Sequence, residues 1–126
     1  MRRGPGLTPP PPFPKGFMKQ WEVVTWAFPE GTHPAVIVTP DRWAGNPDVA
    51  EVNVLLCSSQ RATRLAGPHE IILDEADGLD WPTLCKCHFL YVAPKSELKQ
   101  RRGTVTKERR RELGRILIRL FGLWSD

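Results

Sequence analysis

The sequence predicts a mainly β fold, a small antiparallel sheet curled or closed into a barrel, with one α-helix at its C-terminal end. Three observations carry this expectation. The chain has 126 residues, room for one compact domain and little else. Five short runs rich in β-branched and aromatic residues alternate with Pro, Gly and Asp turns. Only the last stretch repeats its apolar residues with a helical period.

Residues 1–17 are rich in Pro and Gly, with Pro9 to Pro12 in a row. Such a leader favours extended polyproline conformations and builds no core. It is expected either as a disordered arm or as sequence upstream of a true start at Met18. The first strand is expected over Trp21–Phe28, and Pro29-Glu30-Gly31 turns the chain. Ala35–Thr39 reads as a strand buried on both faces. A loop is expected from Pro40 to Pro47, then a strand at Glu51–Cys57. Gly67-Pro68 breaks the chain before a short strand at Glu70–Leu73, and Asp77-Gly78 turns it before a strand over Thr83–Val92. Gly103-Thr104-Val105 is a strand tail leading into the helix. There Thr106 is a plausible N-cap, Leu113, Ile116, Leu117, Leu120 and Phe121 form one apolar face, and Gly122 suits the stop.

Composition excludes some function classes. No apolar run approaches the roughly 20 residues needed to span a bilayer, and no apolar stretch follows Met1-Arg2-Arg3 to make a secretory signal. A cytoplasmic protein without membrane contact is expected. The net charge of +4 is uneven: ten basic and three acidic residues lie between Lys95 and Arg119. That region suits a polyanion or an acidic protein partner, and equally a solvated helix face. The three cysteines, Cys57, Cys85 and Cys87, are odd in number and read as small apolar strand residues. Cys85-x-Cys87-His88 has no second ligand pair for zinc, so neither metal nor cofactor is expected.

Three segments, taken in order, carry a family resemblance: Thr32-His33-Pro34 leading into Ala35–Thr39, Cys57-Ser58-Ser59-Gln60 at a strand end, and Cys85-Lys86-Cys87-His88 within a strand. In that order they resemble the MazF/PemK toxin endoribonucleases of type II toxin–antitoxin systems. The family pattern is an Arg-Pro before a hydrophobic strand, a Thr/Ser strand end, and an Arg/Lys-Cys-Asp strand. The resemblance spans Trp21–Leu123 and implies an SH3-like (PemK/CcdB-type) antiparallel barrel with a C-terminal α-helix, residues 18–126 forming the toxin domain. It further implies a homodimer, a cognate acidic antitoxin, and cleavage of single-stranded mRNA to 2′,3′-cyclic phosphate and 5′-OH ends without metal.

The chain departs from the pattern at chemically informative places. His33 stands where the family has Arg. Histidine exchanges protons near neutrality but lacks the fixed charge and bidentate fork of arginine. Ser58 matches the strand-end hydroxyl and, with Ser59 and Gln60, is placed to bind phosphate; Ser58 and Ser59 suit turn capping as well. Strict alternation would put Lys86 and His88 on one face and Cys85, Cys87 and Phe89 on the other. The resemblance then implies His33 and His88 as an acid–base pair with Lys86 stabilising the phosphorane, much as two histidines and a lysine act in pancreatic-type ribonucleases. Arg61 and Arg64 are the RNA-binding cations expected before any stacking by Trp26, Phe28 or Trp43. His69 reads as a plain surface residue. The family's long first loop is cut here to Pro29–Thr32.

Three functions follow from this reading. The first is a toxin endoribonuclease. The second is a catalytically impaired module that binds RNA or a protein partner without cutting. The third, an agent acting on gyrase like the related toxins of the same barrel, is disfavoured because Leu123-Trp124-Ser125-Asp126 does not match their tail.

Overall fold

The computed structural model describes residues 18–123; the expected leader over 1–17 and the last three residues of the tail lie outside them. The elements run β1 (Glu22–Phe28), β2 (Gly31–Ile37), α1 (Asp41–Ala44), β3 (Glu51–Cys57), β4 (Glu70–Leu73), β5 (Thr83–Pro94), β6 (Lys99–Thr104) and α2 (Lys107–Leu120). The six strands form one antiparallel sheet in the order β4-β5-β3-β2-β1-β6. This curled half-barrel with its terminal helix is the fold class the sequence predicts.

Burial on both faces explains the continuous apolar runs. Val24, Ala35, Val54 and Leu56 feed one cluster, completed by Met18, Ala44 and Leu98. Their neighbours Val23, Val36, Leu55 and Cys57 feed a second, which Leu113 and Ile116 of α2 cover. The first cluster is packed without a long helix over it, so the curl of the sheet itself must enclose it.

Several boundaries differ from expectation. β2 starts at Gly31, not Ala35, because Phe28 pairs with Gly31 and leaves only Pro29 and Glu30 in the turn. The expected loop after Pro40 contains the one-turn helix α1, too short to show a period in sequence. β6 was expected only as a tail. Its residues Lys99-Gln100-Arg101-Arg102 carry no apolar alternation, and backbone pairing to β1 makes it a strand.

The helix begins and ends by identifiable chemistry. Thr106 is the N-cap, yet its side chain caps nothing. Asp77, fully buried, accepts the Thr106 amide at 2.9 Å and the Asp74 amide at 2.9 Å. Arg109 from the first turn of α2 reaches back to Asp77 and Asp74 at 2.6 Å each. At the other end Gly122 adopts φ +63°, with Gly122 N–H donating to Arg119 and Leu123 N–H to Ile118, the paired bonds of a left-handed C-terminal cap.

Candidate functional site

A cleft of about 200 Å³ opens where β2, the end of β3 and the start of β5 approach β6. Its polar lining includes His33, Ser58, Ser59, Asp80, Gln100 and Arg102. Strand register brings the first two together. β2 and β3 pair Ala35 with Leu56 at the last step of their ladder, and the chain just beyond it on each side carries His33 and Ser58. The two are 25 residues apart in sequence and line one cleft.

His33 is half-buried, its ring edge-on to Phe28 with centroids 5.9 Å apart. Its Nδ1 is buried and has no hydrogen-bond partner among the described residues. A buried N–H without an acceptor is costlier than a bare acceptor nitrogen, so the neutral ring keeps its proton on Nε2. That nitrogen is the one through which the ring can act. Ser58 donates its amide to Leu84 at 2.9 Å, and its Oγ accepts the Gln60 amide at 3.2 Å. Ser58 therefore does cap the turn. The capping bond uses only a lone pair, which leaves the hydroxyl proton available to a ligand.

Sequence reasoning missed Gln100 and Arg102. β1–β6 pairing slips between Val23↔Gly103 and Thr25↔Lys99, so β6 carries extra residues in a bulge. Gln100 sits there at φ +59°, a left-handed conformation, and accepts the Thr25 hydroxyl at 3.1 Å. Bulges of this kind re-aim side chains. Here Gln100 and Arg102 turn toward the cleft, and Arg102 Nη2 donates to Asp80 at 2.9 Å. A strand of four polar residues gives no sequence signal for this.

Lys86 and His88 lie outside the cleft lining. Lys86 pairs across to Leu56 and Glu70, two strands over and one step along from His33, roughly 12 Å away by ordinary strand geometry. The expected alternation fails just beyond it. Leu55 pairs with Leu90 but Leu56 with Lys86, so Cys87, His88 and Phe89 bulge out of register. Phe89 consequently packs with the first core cluster, whereas Cys85 and Cys87 pack with the second. The Lys86 ammonium stands 5.5 Å from the Phe89 ring centroid, within cation–π range. Exposed His88 stacks edge-on between Phe89 at 4.5 Å and His69 at 5.8 Å. The structure thus forms two groups, His33 with Ser58 and Ser59, and Lys86 with His88.

The remaining expected residues are also located. Ser59, Gln60 and Arg61 are exposed beyond β3. Arg64 is tied to Glu70 by two bonds of 2.6 and 2.8 Å, and that hydrogen-bonded guanidinium holds the Glu70 carboxyl down at about 2. Trp26 and Phe28 are core residues, while Trp43 is half-exposed. Much of the basic C-terminal region is internally engaged: Lys95 is buried against the Trp43 and Asn46 carbonyls, Arg101 pairs with Glu22, and Arg110 donates to the Val105 carbonyl. The three cysteines are free thiols in the core. Among the described residues no group of three or more His, Cys, Asp or Glu gathers to hold a metal, and no helix is long and apolar enough to cross a membrane.

The family model described as the PemK-like, MazF-like toxin of type II toxin–antitoxin systems matches residues 19–121. The chain belongs to the PemK/MazF toxin family. Solved structures of similar fold agree with this family assignment. A mycobacterial endoribonuclease in complex with its cognate antitoxin is 21% identical, with a TM-score of 0.71 over 86% of this chain and 98% of that one. The Mycobacterium tuberculosis toxin MazF-mt6 is 19% identical, with a TM-score of 0.68 over 82% and 99%. The MazE-MazF structure of Deinococcus radiodurans gives 15% and 0.65 over 82% and 94%. At these identities the likeness is one of fold. No curated protein matches the chain. Within the PemK/MazF frame, the His33–Ser58 cleft joins the first two segments that carry the family pattern, and Lys86-Cys87-His88 supplies the third from β5.

Proposed function

We propose that this PemK/MazF toxin is a metal-independent endoribonuclease that cuts single-stranded RNA at the His33–Ser58 cleft. One observation carries the reading: a histidine whose inner nitrogen is buried and unpartnered lines the same cleft as a serine hydroxyl with a proton to give. In the reaction the 2′-oxygen bonds to phosphorus and the P–O5′ bond breaks, leaving 2′,3′-cyclic phosphate and 5′-OH ends. The 2′-OH proton passes to water in the open cleft. His33 steadies the leaving 5′-oxygen with a hydrogen bond from Nε2–H, and that oxygen takes its proton from water. The Ser58 and Ser59 hydroxyls hold the phosphate oxygens. Lys86 and His88, one step along the sheet, serve the flanking RNA, with Gln60, Arg61 and Arg64 on the rim.

Two partners complete this reading. A cognate acidic antitoxin fits the exposed Arg111, Arg115 and Arg119 of α2; it is supported by the related structures that hold a toxin with its antitoxin. A second copy of the chain fits the exposed Leu90 and Val92 of β5. The replacement of arginine by His33 and the two-residue turn before it favour a second reading, a module that binds RNA without cutting it.

The test is incubation of the pure protein with a long single-stranded RNA in EDTA, with fragment ends mapped. Discrete cuts leaving 5′-OH ends, lost in His33→Ala, are expected. Bound but intact RNA would favour the second reading.

A further inference from the structure

The cleft contains a histidine where a fixed positive charge would be expected, and the bulge of β6 delivers an arginine to the same place. We propose that Arg102 is the cation that contacts the scissile phosphate and stabilises its charge in the transition state. This rests on the RNA-cleavage reading above.

Three independent features aim Arg102 inward. The slip in β1–β6 register and the left-handed Gln100 turn this part of β6 toward the cleft. Gly103, next in sequence, sits against Gly78 with no room for a Cβ on either, which pins the backbone of residue 102 beside the Leu79–Trp81 wall. The guanidinium is then held by Asp80, whose side chain is 68% exposed against 20% for Arg102. Among the Lys and Arg of the described residues, Arg102 is the one that lines this cleft.

The chemistry suits the role. Arg102 commits Nη2 to Asp80 and retains further donors in a planar fork, the shape that matches phosphate oxygens. An ion pair with so exposed a carboxylate contributes little. A phosphate can therefore join or replace Asp80 at small cost. Division of labour follows: His33 gives a hydrogen bond to the leaving oxygen, and Arg102 supplies the constant charge that a neutral histidine cannot.

The experiment compares wild type, Arg102→Gln, Arg102→Lys, Asp80→Asn and Lys99→Gln on a single-stranded RNA oligonucleotide with one cleavable position, alongside thermal unfolding. Arg102→Gln is expected to lower kcat about 100-fold or more with KM within a few-fold, the pattern of a group acting in the transition state. Arg102→Lys is expected to recover part of the loss, while Lys99→Gln, an exposed change on the same strand, leaves kcat unchanged. Folded Arg102→Gln that cuts at the wild-type rate overturns the assignment, as does an equal loss in Lys99→Gln. Should Arg102→Gln fail to fold, Asp80→Asn decides: it frees the guanidinium and is expected to keep or raise kcat/KM, and a loss of 10-fold or more overturns the role. An inert wild type overturns the cleavage reading and this inference together, whereas an active wild type with an equally active Arg102→Gln overturns only the place given to Arg102.

Discussion

Gly78 and Gly103 touch backbone to backbone. A Cβ on Gly103 would lie 2.6 Å from the Asp77 carbonyl oxygen, and one on Gly78, at φ +93°, would lie 2.2 Å from that of Arg102. The contact ties the turn ahead of β5 to the end of β6, so the two walls of the cleft share one anchor.

Gly103→Ala is therefore expected to destabilise the protein by about 1–3 kcal/mol, because backbone must move to admit the methyl. Gly114 in α2 is the matched control, since a Cβ there meets nothing within 4 Å. Gly114→Ala is expected to stabilise by about 0.5–1 kcal/mol through helix propensity. Thermal or urea unfolding of both variants checks the contrast, and equal effects would contradict it.

Asp77 carries the junction between the sheet and α2. Asp77→Ala strands the Thr106 and Asp74 amides and removes one of the two carboxylates that hold Arg109. Roughly 3–5 kcal/mol should be lost, as when one partner of a buried charged pair is removed. Loss of helical circular dichroism at a lower denaturant midpoint would report it; an unchanged midpoint would show that water replaces the carboxylate.

Acid should weaken the fold through two carboxylates. The Arg64 guanidinium holds Glu70 at about 2, and Arg109 lowers Asp74. A depressed carboxyl binds its proton more readily in the unfolded chain. Its contribution is complete above the ordinary carboxylate range near 4.5 and is lost as pH falls toward 2. Stability measured from pH 6 to pH 2 should decline in that window, and Arg64→Ala should flatten the decline; an identical pH profile in the variant would remove Glu70 from the account.

The two arginines after β3 should differ in RNA binding. Arg61 is exposed, with no ion-pair partner among the described residues, whereas Arg64 already neutralises Glu70. Arg61→Gln is expected to reduce the slope of log K against log salt by about 0.7 for a single strand. Arg64→Gln should change it less, because the freed Glu70 offsets only a charge already balanced. Fluorescence anisotropy across a salt series, with an RNA carrying 2′-deoxy sugars to prevent cutting, distinguishes them.

The strands that bury side chains on both faces were readable, since Val23–Val24, Val54–Leu56 and Ile71–Leu73 can satisfy nothing but a packed sheet. The helix was readable from Leu113, Ile116 and Leu117. What escaped was held by backbone and distance. β6 is defined by pairing, not by pattern, and α1 is a single turn. Cys85 to Phe89 reads as clean alternation, and only the competing demands of β3 and β4 on β5 break it. His33, Ser58 and Ser59 were legible because the ends of short strands carry them to one cleft. Arg102 was not, because its direction depends on a bulge and on a glycine contact with a residue 25 positions earlier.

The two-residue turn between β1 and β2 has a kinetic meaning. A connection of Pro29 and Glu30 alone is too short to fold over the neighbouring cleft and withdraw from it. Where enzymes carry a mobile lid, its opening often sets the turnover. If RNA is cut at His33 as proposed, exchange of ligand there is left to diffusion and to the strength of the polar contacts. On the proposed reading the β1–β2 turn is a fixed rim of the cleft, with no gate there for a partner to close.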